Sequence, residues 1–298
     1  MSEKIRTAII GLDTSHSVEF SRSINDPECP AERKIDGMQV VSCLRFSTPF
    51  QSEEGLDKRQ EQLESWGVPV TLDFDEAIAD CDAIMLEVND PTYHLEYFKK
   101  CADLGKPIFL DKPLADTIQN GKAIYDLAAS KNLRIFSTSS LRFTSELAEA
   151  SSQIPQPKMV WTYGPLGKAP AGSSIIWYGV HAFEMLQRAI GSGAVSVQSA
   201  NTSTGVVCTV DYDDGRRGVV ELTEGSWIYG GCLRDKEHAV SYSVDMSKAY
   251  TSMLRKVEAF FKGTEQPATL DDALEIMALL DAAEKSSQSH KLEKVVRG

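Results

Sequence analysis

Gly11-Leu12-Asp13-Thr14-Ser15-His16 ends an apolar run and leads through a hydroxyl-rich turn into helix-forming sequence. A dinucleotide-binding unit places G-x-G-x-x-G at such a turn, where backbone N–H groups and the positive end of a helix meet two phosphates. Gly11 keeps the first glycine, Asp13 and His16 replace the other two, and Thr14 and Ser15 offer hydroxyl donors. An ionised carboxylate at Asp13 repels phosphate unless it turns away or meets a cation. The plainer account is a helix cap at Asp13, Thr14 or Ser15, with nothing bound.

Three further loci carry chemistry. Arg45 ends the apolar run MQVVSCLRF. An acid there binds the ribose hydroxyls of NAD, whereas an arginine meets the 2′-phosphate of NADP, which favours NADP; an exposed strand-end arginine is the bland alternative. In FLDKPLA, Lys112 stands between Asp111 and the rigid Pro113, placed to donate a proton or to balance charge on a substrate oxygen. In SSIIWYGVHAFEML, His181 opens a helix with Glu184 and Arg188 near its face, suited to proton exchange with a hydroxyl or to a purely structural place. His16, His94 and Glu184 invite a metal reading, but no H-x-x-x-H or H-E-x-x-H spacing occurs and no metal is expected.

The elements that must position these groups are legible from periodicity. Buried runs at 5–10, 38–46 and 83–88, then PIFLDKP and LRIFSTSS, alternate with helical patterns in GLDKRQEQLESWG, DEAIADC, TYHLEYFKKCADLG and DTIQNGKAIYDLAASKN. Asp73 followed by Glu76 resembles a capping box. Short strands alternating with helices mean a parallel sheet, and ligands sit beyond the carboxyl ends of its strands. That edge holds Gly11, Arg45, Asn89, Asp111–Pro113 and Ser139–Arg142.

Beyond about residue 145 strand-like stretches dominate, with Asp213-Asp214-Gly215 as a hairpin signal, one helix at VHAFEMLQRAI and two closing helices. The expected fold is α/β: a Rossmann-like parallel sheet over 1–125, then an α+β domain on a largely antiparallel sheet over 126–298. The boundary falls within 125–150, and the last helices can pack on either part.

With 42% hydrophobic and 25% charged residues the 298-residue chain reads as an ordinary soluble protein. Its net charge of −12 disfavours nucleic acid and anionic membranes as partners. The six cysteines form no C-x-x-C pair, and Cys43, Cys81 and Cys208 read as buried thiols of a reducing compartment. No signal-like or membrane-length run is present, so a cytoplasmic location is expected.

In order and spacing these loci resemble the Gfo/Idh/MocA family of NAD(P)-dependent sugar and inositol dehydrogenases over nearly the whole chain. KIRTAIIG corresponds to the family's first strand and glycine, and VNDPTYH to the loop after the third run. GKPIFLDKPLA corresponds to the signature G-K-x-V-x-x-E-K-P-L-A, SSLRF to the link into the second domain, and YGVHAFEML to the G-x-H-x-x-D helix. The resemblance implies Lys112 beside nicotinamide and substrate, Pro113 and Asn89 shaping the nicotinamide pocket, and Arg45 near the ribose. It further implies His181 as the group taking the hydroxyl proton, Arg142 at the substrate, a small-molecule substrate and a dimer or tetramer. Two departures stand out: Asp13 and His16 interrupt the glycine fingerprint, and Trp177 stands where many members carry an aspartate. Trp177 cannot accept from a sugar diol but can stack on a sugar ring. Three readings therefore stay open: a hydride-transferring oxidoreductase for a sugar-like or polyol substrate, an enzyme using NAD by transient oxidation, and a non-catalytic sugar- or nucleotide-binding regulator on the same scaffold.

Overall fold

The apolar run before Gly11 is too short for a helix and forms strand β1 (Ile5–Ile10) in a computed structural model that describes residues 3–298. The chain continues through α1 (Ser15–Asn25), β2 (Met38–Leu44), α2 (Glu53–Ser65), β3 (Val70–Thr71), α3 (Phe74–Ile78) and β4 (Ala83–Leu86). It then forms α4 (His94–Ala102), β5 (Ile108–Asp111), α5 (Ile118–Ser130) and β6 (Ile135–Thr138). Caps sit where hydroxyl and acid residues precede helical pattern: Thr14 accepts from the His16 amide, Ser52 from Gly55, and Asp73 from Glu76. The capping signal at Asp73 thus marks a real start, although α3 lasts little more than a turn.

These strands form a six-stranded sheet in the order β3-β2-β1-β4-β5-β6. β1 pairs in parallel with β2 and β4, β2 with β3, and β4 with β5. Strands β4, β5 and β6 are buried on both faces, which explains their largely apolar composition up to the polar residues Asp111, Ser137 and Thr138 at the ends of β5 and β6. Phe136 packs against Phe109 and Phe260 with ring centroids 5.0 and 4.8 Å apart. Each such buried ring contributes about 1.5–3 kcal/mol from removal of apolar surface. The expected alternation is therefore the architecture, and the two-residue β3 is an addition that no period announces.

The remaining elements are α6 (Ser145–Gln153), β7 (Met159–Pro165), a π-helical turn (Ile175–Gly179), α7 (Val180–Ile190), β8 (Ala194–Thr202), β9 (Gly205–Tyr212) and β10 (Arg217–Thr223). They are followed by β11 (Gly230–Arg234), β12 (Ala239–Ser243), α8 (Met246–Phe261), α9 (Leu270–Ser289) and β13 (Glu293–Lys294). A second sheet runs β12-β11-β7-β10-β9-β8-β13, antiparallel in every pair except β7 with β10. Asp213-Asp214-Gly215 is the expected β9–β10 hairpin turn, with Gly215 at φ 84° and Asp211 opposite Arg217.

Two compact units result. The first comprises the described residues up to Ala115, Ala123–Ser137 and Tyr250–Leu270; the second comprises Asp116–Lys122, Thr138–Ala249 and Asp271–Gly298. All six cysteines are free thiols, and Cys43, Cys81 and Cys208 are buried. Among the described residues no helix is long and apolar enough to cross a membrane.

Candidate functional site

In the first unit the carboxyl edge of the parallel sheet gathers the loci singled out by sequence. Gly11 takes φ +109°, and a Cβ there would meet the Glu87 carbonyl oxygen at 2.5 Å, so close approach to the end of β4 requires glycine. Thr14 caps α1, and Ser15 is exposed in its first turn, which carries no acidic residue. Asp13 is neither a cap nor turned toward the helix start. Its carboxylate accepts from the Asn89 amide at 2.8 Å, the Asp90 amide at 3.2 Å and the Thr48 hydroxyl at 2.7 Å. Burial raises its proton affinity and these donors oppose the rise. The Asn89 side chain in turn donates to the Asp13 carbonyl at 3.4 Å, tying the glycine turn to the loop after β4.

His16, in the third glycine position, is buried and its Nδ1 lies 2.8 Å from Asp111 Oδ2. Lys112 follows at the end of β5, only 5% exposed, with Nζ 3.8 Å from the same oxygen. Pro113 is buried behind a cis Lys112–Pro113 peptide bond. Burial alone would raise the Asp111 proton affinity, but His16 and Lys112 outweigh it and hold the carboxyl well below the usual range. Glu87 moves the other way: burial, reinforced by Asp111 and opposed by Lys112, raises it well above that range. One ring nitrogen of His16 and one oxygen each of Glu87 and Asp111 lie within 4.8 Å of one another.

Arg45 is half-buried after β2, with Nη2 at 3.1 Å from Glu53 and 2.7 Å from Asp57, and Nη1 donating to Gln60 at 2.8 Å. Burial works against its charge and the two carboxylates of α2 more than compensate. Its guanidinium is thus already answered by the two carboxylates of α2.

The second unit builds a separate polar constellation from the short turn Ser140–Phe143 and α7. Ser139 Oγ and His181 Nδ1 share a hydrogen bond of 2.6 Å, and the Ser139 amide donates to Glu184 at 3.1 Å. Arg142 pairs with Glu184 at 3.2 Å, donates to Gln187 at 2.7 Å and reaches Asp272 at 3.5 Å. Burial raises the Glu184 proton affinity against the pull of Arg142 and the Ser139 amide. Glu184 therefore serves the Ser139–Arg142 turn, whereas Arg188, expected beside it, is exposed on α7. Tyr178 and Tyr229 meet the His181 ring edge-on at 5.2 and 5.7 Å. Trp177, half-buried, contacts Tyr178 and lines a cavity of about 590 Å³ with Trp227, Lys168 and Glu224.

The structure thus brings Gly11, Thr14, Ser15, Asn89, Lys112 and Pro113 to one sheet edge, and Arg142, Trp177 and His181 to neighbouring elements of the second unit. The histidines and the acid that invite a metal reading separate: His94 bonds the Val88 and Leu114 carbonyls, Glu184 serves Arg142, and His16 serves Asp111. Glu87 goes unmarked by sequence reasoning, yet a lone carboxylate inside AIMLEV is the available signal, because charge inside a doubly buried strand calls for a purpose.

Comparison with known proteins places these sites in context. Residues 52–139 match the Gfo/Idh/MocA model, described as an oxidoreductase family with an NAD-binding Rossmann fold. YhhX, an uncharacterized oxidoreductase of Escherichia coli K12, is 30% identical over 104 residues, 34% of this chain and only 30% of that protein's length. Myo-inositol 2-dehydrogenase of Lactobacillus plantarum superposes with a TM-score of 0.80 at 15% identity, over 99% of this chain and 100% of that one. Scyllo-inositol dehydrogenase of Lactobacillus casei, solved with NAD(H) and scyllo-inositol, gives 0.79 at 14% identity, over 98% and 99%. At such identities the structural likeness establishes the shared fold.

Proposed function

We propose, on the premise that this chain belongs to the Gfo/Idh/MocA oxidoreductase family, that it moves a hydride between NAD(P) and a secondary hydroxyl or carbonyl of a sugar-like or polyol substrate. The observation that carries this reading is Lys112: a buried ammonium at the carboxyl end of β5, inside the matched segment and beside Asp111. The first unit suits a dinucleotide. α1 opens without an acidic residue in its first turn, and Asp13 spends its charge on the 89–90 amides instead of facing the helix start. The nicotinamide, when bound, supplies the hydride acceptor.

The chain's residues manage the remaining charge. In oxidation the C–H pair leaves the carbinol carbon as hydride, the O–H pair becomes the second C–O bond, and the hydroxyl proton passes to His181. Ser139 Oγ, in hydrogen-bond contact with His181 Nδ1 at 2.6 Å, fixes the orientation of the ring that takes that proton. Lys112 offsets the negative charge that develops on the oxygen, and Asp111 keeps its ammonium in place. Trp177 offers a face for an apolar side of the sugar ring, and Arg142, held by Glu184, braces the turn that carries Ser139. The pairing of Arg45 with Glu53 and Asp57 supports NAD over NADP, since the carboxylates accept ribose hydroxyls and repel a 2′-phosphate.

Fluorescence titration of the purified protein with NADH and NADPH, followed by NAD⁺ turnover on a panel of inositols and aldoses, tests this. Saturable NADH binding with turnover of a panel member is the expected result. Absence of saturable binding of either dinucleotide removes the redox reading and leaves the non-catalytic sugar-binding one.

A further inference from the structure

His16, Glu87 and Asp111 come from α1, the residue that follows β4 and the end of β5, all in the first unit, and are 7%, 0% and 1% exposed. Among the described residues, neither oxygen of Glu87 nor Oδ1 of Asp111 has a hydrogen-bond partner. Buried polar atoms are nearly always paired, so three orphaned carboxylate oxygens at one spot ask for a donor or a cation. Points no more than 4.8 Å apart share a centre within about 2.8 Å of each, and small side-chain rotations bring that to the 2.0–2.2 Å of metal–ligand bonds. The His16 ring is already oriented, stacked on Phe20 and edge-on to Tyr250, both with centroids 5.1 Å away.

We propose that one ring nitrogen of His16 and one carboxylate oxygen each of Glu87 and Asp111 bind a divalent transition-metal cation. One imidazole nitrogen and two carboxylate oxygens suit Zn²⁺, Mn²⁺, Fe²⁺ or Co²⁺; Mg²⁺ and Ca²⁺ prefer oxygen alone. Three protein ligands are the number of an open, catalytic-type site, not of a closed structural one. Charge permits it: two carboxylates against a dication and the Lys112 ammonium leave one net positive charge with His16 neutral. The proposal goes beyond the redox reading and does not depend on it.

The test uses full-length protein stripped with EDTA, equilibrated with Co²⁺, freed of excess metal by gel filtration, and read by elemental analysis and visible absorption. The expected result is one cobalt per chain with ligand-field bands in the visible. Glu87→Gln and His16→Asn, each checked for folding by far-UV circular dichroism, should each weaken binding by at least about tenfold. A wild-type protein that retains no stoichiometric cobalt overturns the proposal, whatever the variants do. So does equal binding by both folded variants, which would assign the orphaned oxygens to a shared proton or a buried water. Neither readout needs a dinucleotide or substrate, so failure here is distinguishable from failure of the hydride-transfer reading.

Discussion

In the second unit Glu184 receives the Ser139 amide and the Arg142 guanidinium, and His181 is held by Ser139 Oγ. At the sheet edge of the first unit Glu87 is equally buried, yet neither of its oxygens meets a donor. One region is finished by its own chain: its imidazole is held by Ser139 and its buried carboxylate by the Ser139 amide and Arg142. The other is left open. Lys112 and His16 crowd around Asp111, and burial together with that neighbouring carboxylate raises the proton affinity of Glu87. A finished site loses stability when one of its partners is replaced, whereas an open one tolerates replacement of a carboxyl whose charged form burial disfavours.

The widest separation should come from Lys112→Ala. It is expected to lower kcat by about 10²–10⁴ on any substrate the wild type turns over, with little change in NADH affinity; near-normal turnover excludes Lys112 from the chemistry. Next is Arg142→Ala, which strands Glu184 and should cost about 3–5 kcal/mol in urea unfolding. Arg142→Met combined with Glu184→Gln, which keeps an acceptor for the Ser139 amide, should recover much of that loss, and a double variant as unstable as the single one would place the loss in the Gln187 and Asp272 contacts of Arg142.

Glu87→Gln should behave oppositely. A carboxyl whose folded proton affinity is raised contributes stability below its unfolded value, near pH 4.5, and loses it as pH climbs toward the folded value. Asp111, held low, contributes above about pH 3.8 and loses its share only below that, so the two windows do not overlap. With chelator present, wild-type Tm should therefore fall more between pH 5 and pH 8 than Tm of the variant. The difference should reach a few degrees, because each tenfold gain in proton affinity on folding is worth about 1.4 kcal/mol. Parallel curves would mean Glu87 is ionised in the folded state. The smallest effect belongs to Glu53→Gln: releasing one carboxylate from Arg45 should raise NADPH affinity relative to NADH about two- to fivefold, read from the same fluorescence titration.

Which of these features could be read from the chain alone follows from how far apart the partners lie. Strand–helix alternation, the Asp73 cap, the Asp-Gly hairpin and the helix that carries His181 are local patterns, legible in short windows of residues. The contacts that give the residues their settings are distant. His16 and Asp111 stand 95 positions apart, Asn89 and Asp13 76, and Ser139 and His181 42. Arg45 illustrates the gap: its type and its place after β2 were legible, but its engagement by Glu53 and Asp57 of α2 was not. Asp13 is another case, since only the approach of the loop after β4 shows where its charge is answered.

The amino-acid sequence alone determined the class of the fold and which edge of the parallel sheet would gather polar groups. Hydrophobic period, caps and turn residues act between neighbours a few positions apart, and strand ends in a parallel sheet converge by topology. Only the tertiary structure decided which of those groups meet, that His16 turns to Asp111, that Glu184 answers Arg142, and that the Glu87 oxygens have no hydrogen-bond partner among the described residues. Those outcomes depend on strand order and on burial, which together set the distance between charges and the dielectric in which they act.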